Sequence, residues 1–207
     1  YIRRQRQMCI RDRSWLCATL AARALLRRKR EAVVYLCATA ARSRHTATHI
    51  CNIAVTLGVD KDDAANRTVV ASFLNSEQMA LALDNDAQWL ARKRGVSLVV
   101  VDSAAAVCKD LPRHDRNAAL RRILAAAKEL ARALNVAVVL VNEISHDFSD
   151  GARQGAYRPA MEQLYAFCQR TFRVAKHEQG RRSISLMGSS PSEEMRAPLA
   201  ITSTGVA

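Results

Sequence analysis

The sequence predicts an α/β domain in which a mostly parallel, twisted sheet carries helices on both faces and ends in an antiparallel hairpin extension. Three observations carry this. Leu98-Val99-Val100-Val101 is an unbroken apolar run, largely β-branched, that leads directly into Asp102-Ser103; this is the pattern of a strand buried on both faces of a parallel sheet. Val136 to Val141 repeats the pattern and ends in Asn142-Glu143. Between them Asn117 to Leu134 has an amphipathic helical period, so the unit reads strand, helix, strand. Ligands of open α/β sheets bind at the carboxyl ends of the strands. An acid delivered there commonly holds the magnesium of a bound nucleotide, which makes Asp102 the first candidate site residue.

The remaining elements follow in order. Trp15 to Arg30 is helical, with Leu16, Leu20 and Ala24 on one face and Arg27, Arg28, Lys29 and Arg30 as a basic, solvated end. Cations in a last turn complement the helix dipole. Ala32 to Cys37 is a strand, Ala38 to Ser43 a polar turn, and Ile50, Ile53, Ala54 and Leu57 mark a second helix closed by Gly58 at its C′ position. Lys61 to Asn66 reads as a polar loop and Arg67 to Phe73 as a short strand. Ser76 to Lys93 is a helix stopped by Gly95. Ser145 to Pro159 has almost nothing apolar to pack and reads as a long loop, of the kind that is usually functional or disordered. Ala160 to Cys168 suggests a short helix. Thr171 to Lys176 and Ser183 to Met187 alternate about Gln179-Gly180, a hairpin signal, and Leu199 to Thr202 is a final strand.

Composition limits the function classes. A chain of 207 residues suits one domain with a real core. No apolar run is long enough to span a bilayer, so no membrane association is expected. The six cysteines include no C-x-x-C pair, which opposes a zinc site and favours free thiols in a reducing compartment. His45 and His49 lie four apart on a helix without a third ligand nearby, and read as an exposed helix face. The net charge of +13 points to a polyanionic partner, usually nucleic acid. Tyr1 to Arg13 supplies +4 of it, from five arginines and one aspartate, and shows neither a helical nor a strand period. Residues 1–13 are therefore read as a non-native or disordered basic segment, and residues 14–207 as the folded core.

The order and spacing of these motifs resemble the RecA-type ATPase core of the eukaryotic and archaeal strand-exchange recombinases. Among these the chain looks most like the DNA-repair paralogues of the X-ray repair cross-complementing type. The likeness is carried by Ala32 to Cys37, by Leu98 to Ser103 with Ala104-Ala105-Ala106-Val107, by Leu124 to Asn142, and by Phe172 to Met187 with Ser190-Pro191 and Ile201 to Val206. It implies a RecA-like P-loop NTPase fold that binds ATP and magnesium and acts in the nucleus. Asp102 would be the Walker B acid, holding magnesium through water, with Ser103 supporting it. Asn142 and Glu143 would sense the γ-phosphate, and Pro191 would cap the nucleotide. DNA contact would come from Arg113, His114 and Arg116 in a first loop, Lys109 to Arg116, and from Arg153 and Arg158 in the second, Ser145 to Pro159.

Three departures qualify what the resemblance implies. Glu143 stands where the family usually has glutamine, and a carboxylate beside phosphates repels them unless a cation intervenes. None of the seven glycines precedes a Lys-Ser or Lys-Thr, so the G-x-x-x-x-G-K-[ST] phosphate loop is absent, as in an N-terminally truncated member. Thr39 occupies the place of the water-activating glutamate, and threonine is no general base near neutral pH. The expected function is an ATP-dependent protein of homologous recombination and double-strand break repair that binds single-stranded DNA and assembles with other recombinase paralogues. At best it is a weak DNA-dependent ATPase. The alternative is a catalytically inactive RecA-fold scaffold that assembles with those paralogues.

Overall fold

A computed structural model describes residues 2–38, 40–142, 144–146, 157–159, 168–176, 181–187, 195–202 and 205–206. Four parallel strands form the central sheet: β1 (Ala32–Cys37), β2 (Thr68–Ser72), β3 (Val96–Asp102) and β4 (Ala137–Val141), in the order β2-β1-β3-β4. Each falls where an apolar, β-rich run was expected. Every residue of β1 is buried, and its pleat divides them between two cores. Ala32, Val34 and Leu36 face one layer; Val33, Tyr35 and Cys37 face the other. The first layer contains α4 (Ser76–Leu81), α5 (Gln88–Arg94) and α6 (Arg113–Leu134). The second contains α1 (Ile2–Arg27) and α2 (Ala40–Thr56). Helices on both faces of a parallel sheet are the predicted architecture.

Several boundaries differ from the sequence reading, each for a local reason. Lys61–Arg67 is a helix, α3, not a loop. Asp60 caps it by accepting from the backbone N–H groups of Asp62 and Asp63, and Ala64 anchors it in the core. Between α4 and α5 the chain continues as a π-helical turn over Ala82–Ala87, so the helix predicted from Ser76 is interrupted. Gly95 ends it at φ +73, and Gly58 follows α2 at φ +94, as their positions suggested. Asn135, at φ +52, ends α6 in the left-handed conformation that asparagine tolerates. At its other end α6 begins at Arg113, four residues before the periodic run.

The long segment Ser145 to Pro159 is not loop throughout. Its ends pair as β5 (Ile144–His146) and β6 (Tyr157–Pro159) in an antiparallel ribbon, with Ser145 opposite Arg158. The C-terminal hairpin is present as β7 (Thr171–Lys176) and β8 (Arg182–Met187), joined by β9 (Met195–Pro198) in a separate three-stranded antiparallel sheet. The expected last strand is instead a short pair, β10 (Ile201–Thr202) and β11 (Gly205–Val206). The helix expected over Ala160 to Cys168 falls mostly outside the described residues.

At the N-terminus α1 runs without a break from Ile2, so residues 2–13 are helical in backbone and continuous with the helix expected from Trp15. The apolar residues that fix it to the sheet are Cys17, Ala18, Ala21, Ala22 and Leu25, all buried.

Candidate functional site

The site lies at the carboxyl ends of β1, β3 and β4. Register places Cys37, Asp102 and Val141 side by side, so Asn142 emerges beside Asp102. Along β3, Val99 and Val101 face the α4–α6 layer, while Leu98 and Val100 face α1 and α2. Alternation sends Asp102 to the same side as Leu98 and Val100. There it is buried, and its Oδ2 accepts hydrogen bonds from Ser14 Oγ at 2.7 Å and Tyr35 Oη at 2.8 Å. Arg13, one residue earlier on α1, donates from Nη1 to the carbonyl oxygen of Asn142. Two side chains of α1 thus close over two adjacent strand ends.

Electrostatics keep the surrounding protons in place. Burial, and then the negative charge of Asp102, push the Tyr35 phenol well above its ordinary range, so it stays a donor. Burial likewise pushes the Cys17 thiol up to about 12, with Asp102 adding to the rise and Arg13 opposing it. Cys17 is an inert packing residue at neutral pH.

Of the residues singled out in the sequence, the structure brings Asp102 and Asn142 together. Ser103 is buried next to Asp102, but its Oγ accepts from Ala106 N at 3.2 Å and so holds the turn that leads into the short 3-10 segment Ala106–Cys108. Thr39, Glu143, Arg153 and Pro191 lie outside the described residues, and Arg158 is described only as part of the β6 backbone. Arg113, His114 and Arg116 were expected on a loop but form the first turn of α6. Arg116 donates to the carbonyl oxygens of Leu111 at 2.7 Å and Lys109 at 2.6 Å, which ties the preceding turn to the helix. His114 is exposed, 3.3 Å from Asp115.

Sequence reasoning missed Arg13, Ser14 and Tyr35. A signal existed for the first two. A cation followed by a hydroxyl residue directly before an apolar helix has the order of the Lys-[ST] pair that closes a phosphate loop. It was hidden because Arg13 ends a string without periodicity. Tyr35 gave no signal beyond strand propensity.

The chemistry of the donor set decides what the site can hold. The Asp102 carboxyl and Ser14 hydroxyl are hard oxygens of the kind that hold magnesium in P-loop NTPases, and they fit that ion. A triphosphate also needs a cradle of free backbone N–H groups, normally from a glycine-rich turn. Residues 1–13 contain no glycine, and α1 is already helical eleven residues before Arg13. The N–H groups around Ser14 are therefore engaged within the helix, and the residues present do not fit the phosphates.

His49 was read as part of an exposed face; it is half-buried against the ring of Trp15, with centroids 3.9 Å apart, while His45 is exposed. Burial lowers its pKa below the ordinary 6.5. Below pH 6.5 the unfolded chain then binds more protons than the folded one, so stability falls as the pH drops through the folded value. Thermal denaturation followed from about pH 7 to about pH 5 is expected to show a loss that His49→Phe reduces. An identical pH profile in the variant would assign the loss to other groups.

No curated protein matches this chain. Residues 11–207, all but the first ten, match the Rad51 family, and this span takes in Arg13, Ser14, Tyr35, Asp102 and Asn142 together with the parallel sheet and the C-terminal hairpin. The chain belongs to the Rad51 family of RecA-type recombination and repair proteins.

Proposed function

We propose that the chain serves homologous recombination and double-strand break repair in the nucleus as a DNA-associated, non-hydrolysing recombinase paralogue that assembles with other RecA-type subunits. The observation that carries this reading is the half-built strand-end site. It has the acid and the hydroxyl for a metal ion, but a continuous helix where a phosphate cradle belongs. Thr39, in place of a general base, agrees with the absence of hydrolysis. The net charge of +13 supports a nucleic-acid partner. Arg92, Lys93 and Arg94 at the end of α5 and Arg121, Arg122 and Lys128 on α6 are exposed cations of the helix layer on one side of the sheet. Backbone phosphates are met by such charges without sequence preference.

A second reading, an ATP-dependent DNA-binding paralogue of the X-ray repair cross-complementing type, is favoured by the Ser14–Asp102 contact alone. Two assays separate them. Anisotropy of a labelled single-stranded oligonucleotide is expected to show binding whose logarithm falls linearly with the logarithm of salt concentration. Undetectable binding at low salt removes the DNA role from both readings. Phosphate release with magnesium and ATP is expected to stay at background with or without DNA, and DNA-stimulated turnover would establish the second reading.

A further inference from the structure

We infer that α1 latches the strand-end site shut with its own side chains, so that this Rad51-family core is closed without nucleotide and does not take one up. Three contacts converge to make the latch. Ser14 Oγ and Tyr35 Oη both donate to Asp102 Oδ2, at 2.7 and 2.8 Å, and the guanidinium of Arg13 donates to the Asn142 carbonyl at the end of β4. The Ser14 and Arg13 contacts tie α1 to the ends of two neighbouring strands, since Asp102 closes β3 in register with Val141 of β4, and the Tyr35 bond fixes the same carboxylate to β1.

The latch is embedded in a packed helix. Immediately after Ser14, Cys17, Ala18, Ala21 and Ala22 of α1 are buried against the same face of the sheet that carries Tyr35 and Val100. The amides around Ser14 lie inside α1 and bond to carbonyls of the preceding turn. An anion arriving at Asp102 thus meets a carboxyl and engaged amides. Among the described residues the hydroxyls at hand, Ser14 and Tyr35, already donate to Asp102, and the nearby carboxylate repels a phosphate. The guanidinium that could pair with it is already bound to a backbone carbonyl. Binding would require α1 to unwind around Ser14 and withdraw buried side chains from the core. The inference is independent of whether the chain binds DNA.

Hydrogen–deuterium exchange of the whole chain tests it, with and without magnesium and ATP, alongside titration with the fluorescent analogue N-methylanthraniloyl-ATP. The expected result is protection of the α1 amides from Ser14 to Leu25 in the nucleotide-free protein, unchanged by ATP, and no saturable signal from the analogue. Fast exchange of those amides without nucleotide, protection gained on adding it, or saturable analogue binding would each overturn the latch. Arg13→Ala and Ser14→Ala are each expected to speed exchange at Ser14 to Ala18 by about tenfold, the effect of losing one charge-assisted hydrogen bond. Unchanged exchange in both variants would also overturn it. Should either variant fail to fold, the measurements on the unmodified chain decide alone.

Discussion

Arg67→Met is expected to destabilise the fold by about 3 kcal/mol, the scale of leaving partly buried carbonyl oxygens without the donor that serves them. The Arg67 side chain is only 11% exposed. Its Nη1 donates to the carbonyl oxygens of Leu25, Arg28 and Glu31, and its Nε and Nη2 pair with Asp63. Leu25 lies in the last turn of α1, where carbonyls have no helical partner, and the other two belong to the turn before β1. One guanidinium therefore joins α1, β1 and α3. Methionine keeps much of the volume but takes the guanidinium from the carbonyls of Leu25 and Glu31 and from the Asp63 carboxylate, while the Arg28 carbonyl keeps the Glu31 N–H. At about 2–4 °C per kcal/mol for a chain of this size, the melting temperature is expected to fall by roughly 6–12 °C. Lysine is not expected to rescue it, because a single ammonium cannot reproduce the planar fork. Asp63→Asn is expected to cost much less, since its side chain is 45% exposed and water replaces the lost partner. A melting temperature within 2 °C of the unmodified protein for Arg67→Met would show that water satisfies those carbonyls equally well.

Asp102→Ala is expected to cost about 3 kcal/mol, mainly because it strands a buried hydroxyl. Tyr35 is 1% exposed and its Oη donates to Asp102 Oδ2, so the truncation leaves that group with neither protein acceptor nor water. Tyr35→Phe is the control that isolates this cause. In a Tyr35→Phe background, Asp102→Ala is expected to cost at least 1 kcal/mol less than in the unmodified chain, because the orphan is gone. Thermal denaturation of the four proteins closes the cycle. Strict additivity would mean that Asp102 acts on stability without Tyr35, and the pair would lose its place in the latch.

The sheet was legible because its signal is local and periodic. Val33 to Leu36 and Leu98 to Val101 are apolar without interruption and buried, as such runs require, whereas Val136 to Val141 reads alike but forms the end strand β4 of the described sheet, where of Ala137 to Val141 only Val141 is buried. The position of Asp102 at a strand end was equally readable, since the acid ends its run. Parity even assigned its face, two residues on from Val100. α3 was not legible, because four of its seven residues are charged and its stability comes from the Asp60 cap and the distant carbonyls that Arg67 reaches. The first turn of α6 was misread for a related reason: Arg113 to Arg116 is polar throughout, and Arg116 holds it in place through bonds to Lys109 and Leu111.

By itself the sequence determined the α/β class, the parallel strands and the strand-end acid, which follow from hydrophobic period along the chain, and its resemblance pointed to the recombinase family that the match over residues 11–207 shows. Only the tertiary structure decided what stands opposite Asp102. The contacts from Ser14, 88 positions away, from Tyr35, 67 away, and from Arg13 to Asn142, 129 away, depend on strand register and on how α1 lies across the sheet. No local pattern encodes such distances, because they are set when separate elements pack into one core and bring their polar ends to the same buried point.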